Sequence, residues 1–366
     1  MPSLLYGEVE EDLRSAVRDL LADRTPIDSV LTRSDQAEAF DAAAREVWSS
    51  LVDELGIAAL AVPEEFGGAG ATWLEVATVL EELGRGVIDV PFFTSAVLAT
   101  ALAQEVGAVE LVGELASGAA VGAVVWPFAS PLAPVPELTW DGQVLSGSVK
   151  TVAGALEATH LLVPTSDGLV LVEAARAQIT PTPSLDMTRR VADIVFDHVE
   201  GQMIVARAEL DRGLERAAQL GGALLASEQL GIAERMLEMT VDYLKQRRQF
   251  GRTLGSYQAL KHRLADLWTA IAQARAVARY AAACAGSSDE GVAADLPVAS
   301  AMAQAVCSEV ALLAAEESVQ MHGGIGFTWE HPAHLYLKRA RADALAMGSP
   351  AWYRGELAGL VGIGRS

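Results

Sequence analysis

The sequence is short of cysteine, of basic residues and of long uncharged apolar runs, and each shortage excludes something. Its two cysteines among 366 residues, Cys284 and Cys307, lie in alanine-rich helical stretches. They form no legible disulfide framework and lack the spacing of metal ligands. Twenty-seven basic side chains stand against 48 acidic ones, a formal net charge of −21 with a pI near 4.6. Such a surface repels phosphate backbones and anionic lipid, so neither nucleic acid nor a membrane is an expected partner. No uncharged apolar run reaches the roughly 18 residues that a spanning helix needs. Met1 to Arg14 is charged and mixed, unlike a signal peptide, and a cytoplasmic location is the expectation. What the chain holds in plenty is aliphatic: 51% of residues are hydrophobic and the mean hydropathy is +0.26, which excludes a disordered main state. Its length exceeds the roughly 250–300 residues at which a single core stops growing, so two or three subdomains are expected.

Hydrophobic spacing divides the chain into three blocks. In Glu10–Arg24, Leu13, Val17, Leu20 and Leu21 fall on one face of a 3.6-residue period, and Val47–Leu55 repeats the pattern before Gly56 ends it. A loop from Pro63 to Gly70 precedes a periodic run from Trp73 to Leu83, and Pro91 opens an apolar helix to about Val106. From Val121 prolines cluster and short strand-forming runs alternate with turns such as Asp141-Gly142 and Asp167-Gly168. Five strands are legible: Val121–Trp126, Gln143–Val152, His160–Val163, Leu169–Val172 and Ala192–Phe196. From Ala206 the chain is again alanine- and leucine-rich, with helices to Gly286, from about Ala293 to Gln320, and from His334 to Ala346. The expected fold is α+β: a helical domain at 1–120, a small β domain at 121–205 and a helical domain at 206–366.

Three motifs in order carry a family resemblance. Leu55 to Gly70, with Glu81-Glu82-Leu83-Gly84-Arg85, resembles the N-terminal helical domain of acyl-CoA dehydrogenases. Arg247-Arg248-Gln249-Phe250-Gly251 with Tyr257 to His262 resembles that family's flavin-contacting helix pair, and Gln320 to Thr328 its third signature. The resemblance implies the family's fold, with a four-helix-bundle-like C-terminal domain, and FAD as cofactor. It also implies that Arg247, Phe250, Gln258, Gln320, Gly323 and Gly324 reach a neighbouring subunit's FAD. The residue types suit such contacts. Arg247 is a charged fork for a pyrophosphate, Phe250 three residues on shares its helical face, and Gly323 and Gly324 permit close backbone approach. His331 and His334 stand near Glu330 but lack a fourth ligand, so no metal site is expected.

The same resemblance implies a catalytic carboxylate that this chain does not place. Gly348 stands where the family glutamate would follow the third signature, and Gly221 where some members carry it instead. Trp126 and Thr151 read as remnants of the flavin-facing β segments, in a β domain that looks reduced. Glu228 is the candidate substitute base, since burial among Leu224, Leu225 and Leu230 would raise its pKa; a carboxylate paired with an arginine is the plainer reading. Asp343 is a second candidate that reads as a surface residue. The expectation is a chain without its own base, resembling the non-catalytic subunit of actinobacterial α2β2 acyl-CoA dehydrogenases, some of which act on steroid side-chain CoA esters. The implied partners are a sister subunit, an acyl-CoA substrate and an electron-transferring flavoprotein. The alternatives are a homotetramer with a displaced base, or a non-catalytic protein that binds a CoA ester or a partner.

Overall fold

The computed structural model describes residues 4–33 and 37–363. Six helices come first: α1 (Glu8–Arg24), α2 (Ile27–Arg33), α3 (Ala37–Leu55), α4 (Trp73–Gly86), α5 (Thr100–Glu105) and α6 (Val109–Ala116). Gly56 stops α3 with φ +64°, a backbone state that glycine adopts without steric cost. Thr72 caps α4, accepting from Leu74 N while Glu75 accepts from Thr72 N, a capping box. The apolar run after Pro91 is not one uniform helix. It winds as a wide π-helix over Phe92–Ala99 before tightening into α5. The α1 and α4 helices are joined by charge: Tyr6 and Arg14 bind Glu81, and Arg18 grips both oxygens of Glu82.

The middle of the chain holds eight strands: β1 (Gly122–Val124), β2 (Thr139–Trp140), β3 (Val144–Ala153), β4 (His160–Pro164), β5 (Gly168–Glu173), β6 (Gln178–Thr182), β7 (Val191–Glu200) and β8 (Gln202–Ala206). They form two four-stranded sheets ordered β1-β4-β5-β8 and β2-β3-β7-β6. Only the β1–β4 pairing is parallel. Val125, Leu161, Val163 and Val170 from the first sheet pack on Leu145, Val149, Ile194 and Phe196 from the second. Val124, Leu162 and Leu169 point the other way into the helical core. That double burial is why β1 and β4 read as unbroken apolar runs. The two-residue β2, and β6 and β8, which show no clean burial alternation, escaped the sequence reading.

The C-terminal block contains α7 (Arg207–Gln246), a hairpin of β9 (Arg248–Gln249) and β10 (Arg252–Thr253), α8 (Gln258–Gly286), α9 (Glu290–Ala293), α10 (Leu296–His322), α11 (Ala333–Asp343) and α12 (Pro350–Leu360). The central post is α7, against which α4, α8, α10 and α11 pack. By length and composition α10 would meet the requirement for a membrane span, yet Ala299, Ala303, Ala311, Ala314 and Ala315 are buried against its neighbours.

The crossing of α4 with α7 depends on two glycines. A Cβ on Gly231 would lie 1.9 Å from Glu81 O, and one on Gly84 would lie 2.2 Å from Glu228 O. Gly231→Ala should therefore destabilise by at least about 1–3 kcal/mol, the cost of overpacking. Gly355→Ala, on an α12 position with nothing within 4 Å, should be neutral or slightly stabilising. Urea midpoints with an unchanged slope would establish the contrast.

Candidate functional site

The α7 helix stops where the sequence turns basic. Arg247 leaves the helix with an extended backbone (φ −66°, ψ 128°), and the chain folds back as the β9–β10 hairpin, pairing Gln249 with Arg252 and Arg248 with Thr253. Phe250 (φ +52°) and Gly251 (φ +78°) make its two-residue turn, the double positive-φ arrangement that matches strand twist. Glycine suits this turn; a phenylalanine there is an outlier of the sort that gathers at functional positions. The expectation that Arg247 and Phe250 share a helical face is corrected. They stand on a hairpin, and Phe250 projects from its tip with 87% of its surface exposed. The clue in the sequence was the Phe-Gly pair, which helical spacing on either side obscured.

Arg247 lines an open cleft of about 480 Å³ with Tyr243, Gln249, His322, Gly323 and Gly324. Gly323 ends α10 with φ +63°, and a Cβ on either glycine would meet nothing within 4 Å, so both backbones are bare. The Tyr243 hydroxyl donates to His322 O (3.3 Å), fixing the end of α7 to the end of α10. His322 Nδ1 donates to Ser318 O (2.7 Å), and burial holds the ring below its usual pKa. Its ring stacks on Tyr243 and His331, and His331 is pushed down to about 4 by burial and by its histidine neighbours. Among the described residues no group of histidines, cysteines or carboxylates is placed to hold a metal.

The cleft is positive in a strongly negative protein. Between Asp242 and Asp266 the sequence has no acidic residue but has Lys245, Arg247, Arg248, Arg252, Lys261 and Arg263. Among the described residues the Arg247 and Arg248 guanidinium groups make neither an ion pair nor a hydrogen bond. Arg252 lies over the Tyr257 ring at 3.7 Å. The unpaired Arg247 fork beside two glycines without side chains suits a phosphate-bearing ligand, and these residues fit a dinucleotide pyrophosphate, although the Gly323 amide is already given to Gln320 O. Gln258 opens α8 and Gln320 sits on the last turn of α10, both exposed and both outside this cleft's lining. Tyr243, Gln249 and His322 belong to the lining and were not foreseen.

The two glycines at the expected carboxylate positions meet around one side chain. A Cβ on Gly221 would lie 2.6 Å from Leu98 Cδ2 and 2.7 Å from Met347 Cε. Met347 neighbours Gly348, where a Cβ would lie 2.7 Å from Trp352 Cε3. Met347 is 2% exposed and is held by Phe128 O and the Tyr353 hydroxyl. A side chain at either glycine would have to displace one of these neighbours, the flexible ends of Leu98 and Met347 at Gly221 and the Trp352 ring at Gly348. Trp126 is buried with its Nε1 on Ser130 O, and Thr151 occupies a bulge with φ +55° and its N–H on Asp193.

Behind Met347 lies a buried ion network that the sequence reading foresaw only in part. Arg189 donates to both oxygens of Glu228 (2.6 and 2.5 Å) and to Asp343 Oδ1 (2.6 Å). Arg339 donates to Glu228 Oε1 and Asp186 Oδ2 (2.6 Å each) and to Thr188. Burial alone would raise the Glu228 carboxyl, but Arg189 and Arg339 together hold it below its ordinary value. The expected raised pKa is thus corrected: Glu228 is an anchored anion. Asp343 is also corrected from a surface residue to a fully buried one. Burial pushes it up to about 8, because Arg189 is shared and Asp343 Oδ2 has no partner.

Family comparisons agree with this architecture. The acyl-CoA dehydrogenase N-terminal domain model matches residues 7–118 and the C-terminal domain model residues 213–358. The chain is 35% identical to the acyl-CoA dehydrogenase IpdE2 of Mycolicibacterium smegmatis, over 94% of this chain and 96% of that one. A chain of the ChsE4-ChsE5 complex from Mycobacterium tuberculosis superposes with TM-score 0.82 at 25% identity, covering 100% of both. A chain from a variant of the Tcur3481-Tcur3483 steroid ACAD gives TM-score 0.82 at 28% identity, covering 98% of this chain and 99% of that one.

Proposed function

The chain belongs to the acyl-CoA dehydrogenase family, whose cofactor is FAD, and from that premise we propose that it is the half-site donor of a two-component enzyme. In this reading a sister subunit supplies the carboxylate that removes the α-proton of an acyl-CoA thioester. FAD supplies the hydride acceptor for the β-position. This chain contributes the pyrophosphate-side contacts, with Arg247, Gly323 and Gly324 meeting the phosphates and Phe250, Gln258 and Gln320 extending toward the partner. The observation that carries the reading is a contrast within one molecule. The positions where a family carboxylate is expected hold glycines packed against Met347 and Trp352, while the basic cleft stays open with Arg247 unpaired. Likeness to a chain of a two-protein complex and to a steroid-type enzyme supports an α2β2 assembly and a bulky CoA ester as substrate, with an electron-transferring flavoprotein as oxidant.

The test is flavin absorbance per mole of chain, for the protein alone and co-expressed with its dehydrogenase-like sister. The expected result is none alone and one flavin per pair in a mixed tetramer. Full occupancy in the lone chain would overturn the reading. The competing reading, a homotetramer with its own displaced base, no longer has Glu228, which is neutralised by two arginines. It retains Asp343, with its raised pKa and unpartnered oxygen. Asp343→Asn should leave turnover of the assembled enzyme within about twofold, against the losses of 10²-fold or more that follow removal of a true general base.

A further inference from the structure

Three segments meet at the Arg247 cleft, and stacked rings join them. The end of α7 contributes Tyr243, one helical turn before Arg247, the end of α10 contributes His322, next to Gly323, and the lead-in to α11 contributes His331. His322 is the middle ring, its centroid 4.4 Å from that of Tyr243 and 4.3 Å from that of His331. The glycine turn leans on the same residue, since a Cβ on Gly326 would lie 3.1 Å from His322 Cβ. The Tyr243 hydroxyl closes the arrangement on His322 O.

Both histidines are built in as neutral rings. Ser318 O can only accept, so the proton of His322 sits on Nδ1. Its Nε2 is buried with no hydrogen-bond partner, and a second proton there would bring a charge with nothing to receive it. His331 is committed the other way. Its Nδ1 accepts from Ala333 N–H at 3.2 Å, at the first residue of α11, and a proton on that nitrogen would set donor against donor. The groups around the pair offer no compensation: Tyr243 comes from α7, Ser318 from α10 and His334 from α11, and Arg247 shares the cleft. Among the described residues no carboxylate is paired with His322 or His331.

We propose that His322 is a positioning residue for the Arg247 cleft, effective only while neutral: the Tyr243–His322–His331 stack keeps Arg247 and the Gly323–Gly324 turn in register, and acid, by charging the rings, loosens this clamp and releases the flavin. This role rests on the half-site reading of the cleft and gives it an acid limit. Burial holds both rings below their ordinary value, His331 at about 4. The clamp is therefore complete above about pH 6.5 and is lost as the pH falls from there toward 4.

The test titrates FAD into the assembled complex at about pH 7.5 and about pH 5, for wild type, His322→Phe, His322→Ala and Arg247→Ala. Wild type should bind at least about threefold more weakly in acid, because only the neutral fraction of the cleft is competent. His322→Phe keeps a ring in the stack that cannot be charged, so its two affinities should agree within about twofold. His322→Ala removes the ring and should bind more weakly than His322→Phe at both pH values. Ring-nitrogen NMR of the unassembled chain gives a second readout that needs no flavin. There His322 should be the Nδ1–H tautomer and should charge only below its ordinary value near 6.5. An Nε2–H tautomer, or a ring charging at its ordinary value, would overturn the clamp. Equal acid sensitivity in wild type and His322→Phe, with Arg247→Ala still defective, would overturn the positioning role alone. Flavin held normally by Arg247→Ala would remove the half-site reading and this role with it.

Discussion

Glu228→Gln should cost the fold about 3–5 kcal/mol, the range measured when one partner of a buried ion pair is removed. Glu228 is 1% exposed and receives Arg189 from the β7 side and Arg339 from α11. Without its charge both guanidinium groups stay buried with less compensation. Since Arg189 and Arg339 also hold Asp186, Thr188 and Asp343, the loss spreads across the contact between the β sandwich and the helices. For a domain with roughly 5–15 kcal/mol of stability, that is a large share of the total. A thermal melt checks this, and a melting temperature within a degree or two of wild type would show that the network is dispensable.

The same network sets a pH dependence with a definite sign. Asp343, ordinarily near 3.9, is pushed to about 8 in the folded chain, and Glu157, outside this network and paired with Arg190, to about 7 by burial. The native state then holds protons that the unfolded state has released, so this contribution is complete below about pH 4 and is lost as pH rises toward 8. Glu228 runs the other way, being held low by its arginines, and its contribution is lost in acid. Asp343→Asn keeps an oxygen for Arg189 and removes the titration. Its stability curve should be flatter than wild type between about pH 4 and 8 by urea denaturation.

Arg247→Ala in the assembled enzyme should lower flavin affinity by about 1.5–3 kcal/mol, the value of a charge-assisted hydrogen bond, which is roughly ten- to hundredfold. The fold should be untouched, because Arg247 is exposed and contributes no side-chain pairing among the described residues. Arg247→Lys should recover only part of the loss, since an ammonium keeps the charge but not the fork. Flavin content after gel filtration measures the effect. Unchanged content in Arg247→Ala would remove the central contact of the half-site reading.

Much of this was legible in the sequence because it rests on local signals. Periodicity located α1, α4, α7, α8 and α10, turn residues located five strands, and motif order located Arg247, Gly323 and Gly324 before they were seen to line one cleft. Most of what stayed hidden was decided by distant packing. The hairpin at Phe250 stayed hidden because the helical spacing on either side masked its Phe-Gly turn. Asp343 looked like a surface residue since no local pattern reveals Arg189, 154 positions earlier in the chain. Gly221 and Gly348 read as missing carboxylates, and only the fold shows Met347 beside the first and Trp352 beside the second.

The hairpin has a consequence for an unpaired copy of the chain. It displays a bare phenylalanine between arginines on a two-residue turn, where proteases that cut after basic residues find their substrates. A subunit docked on its sister would hide that tip. Under the half-site proposal an orphan would keep it on show and be nicked there by trypsin sooner than an assembled copy.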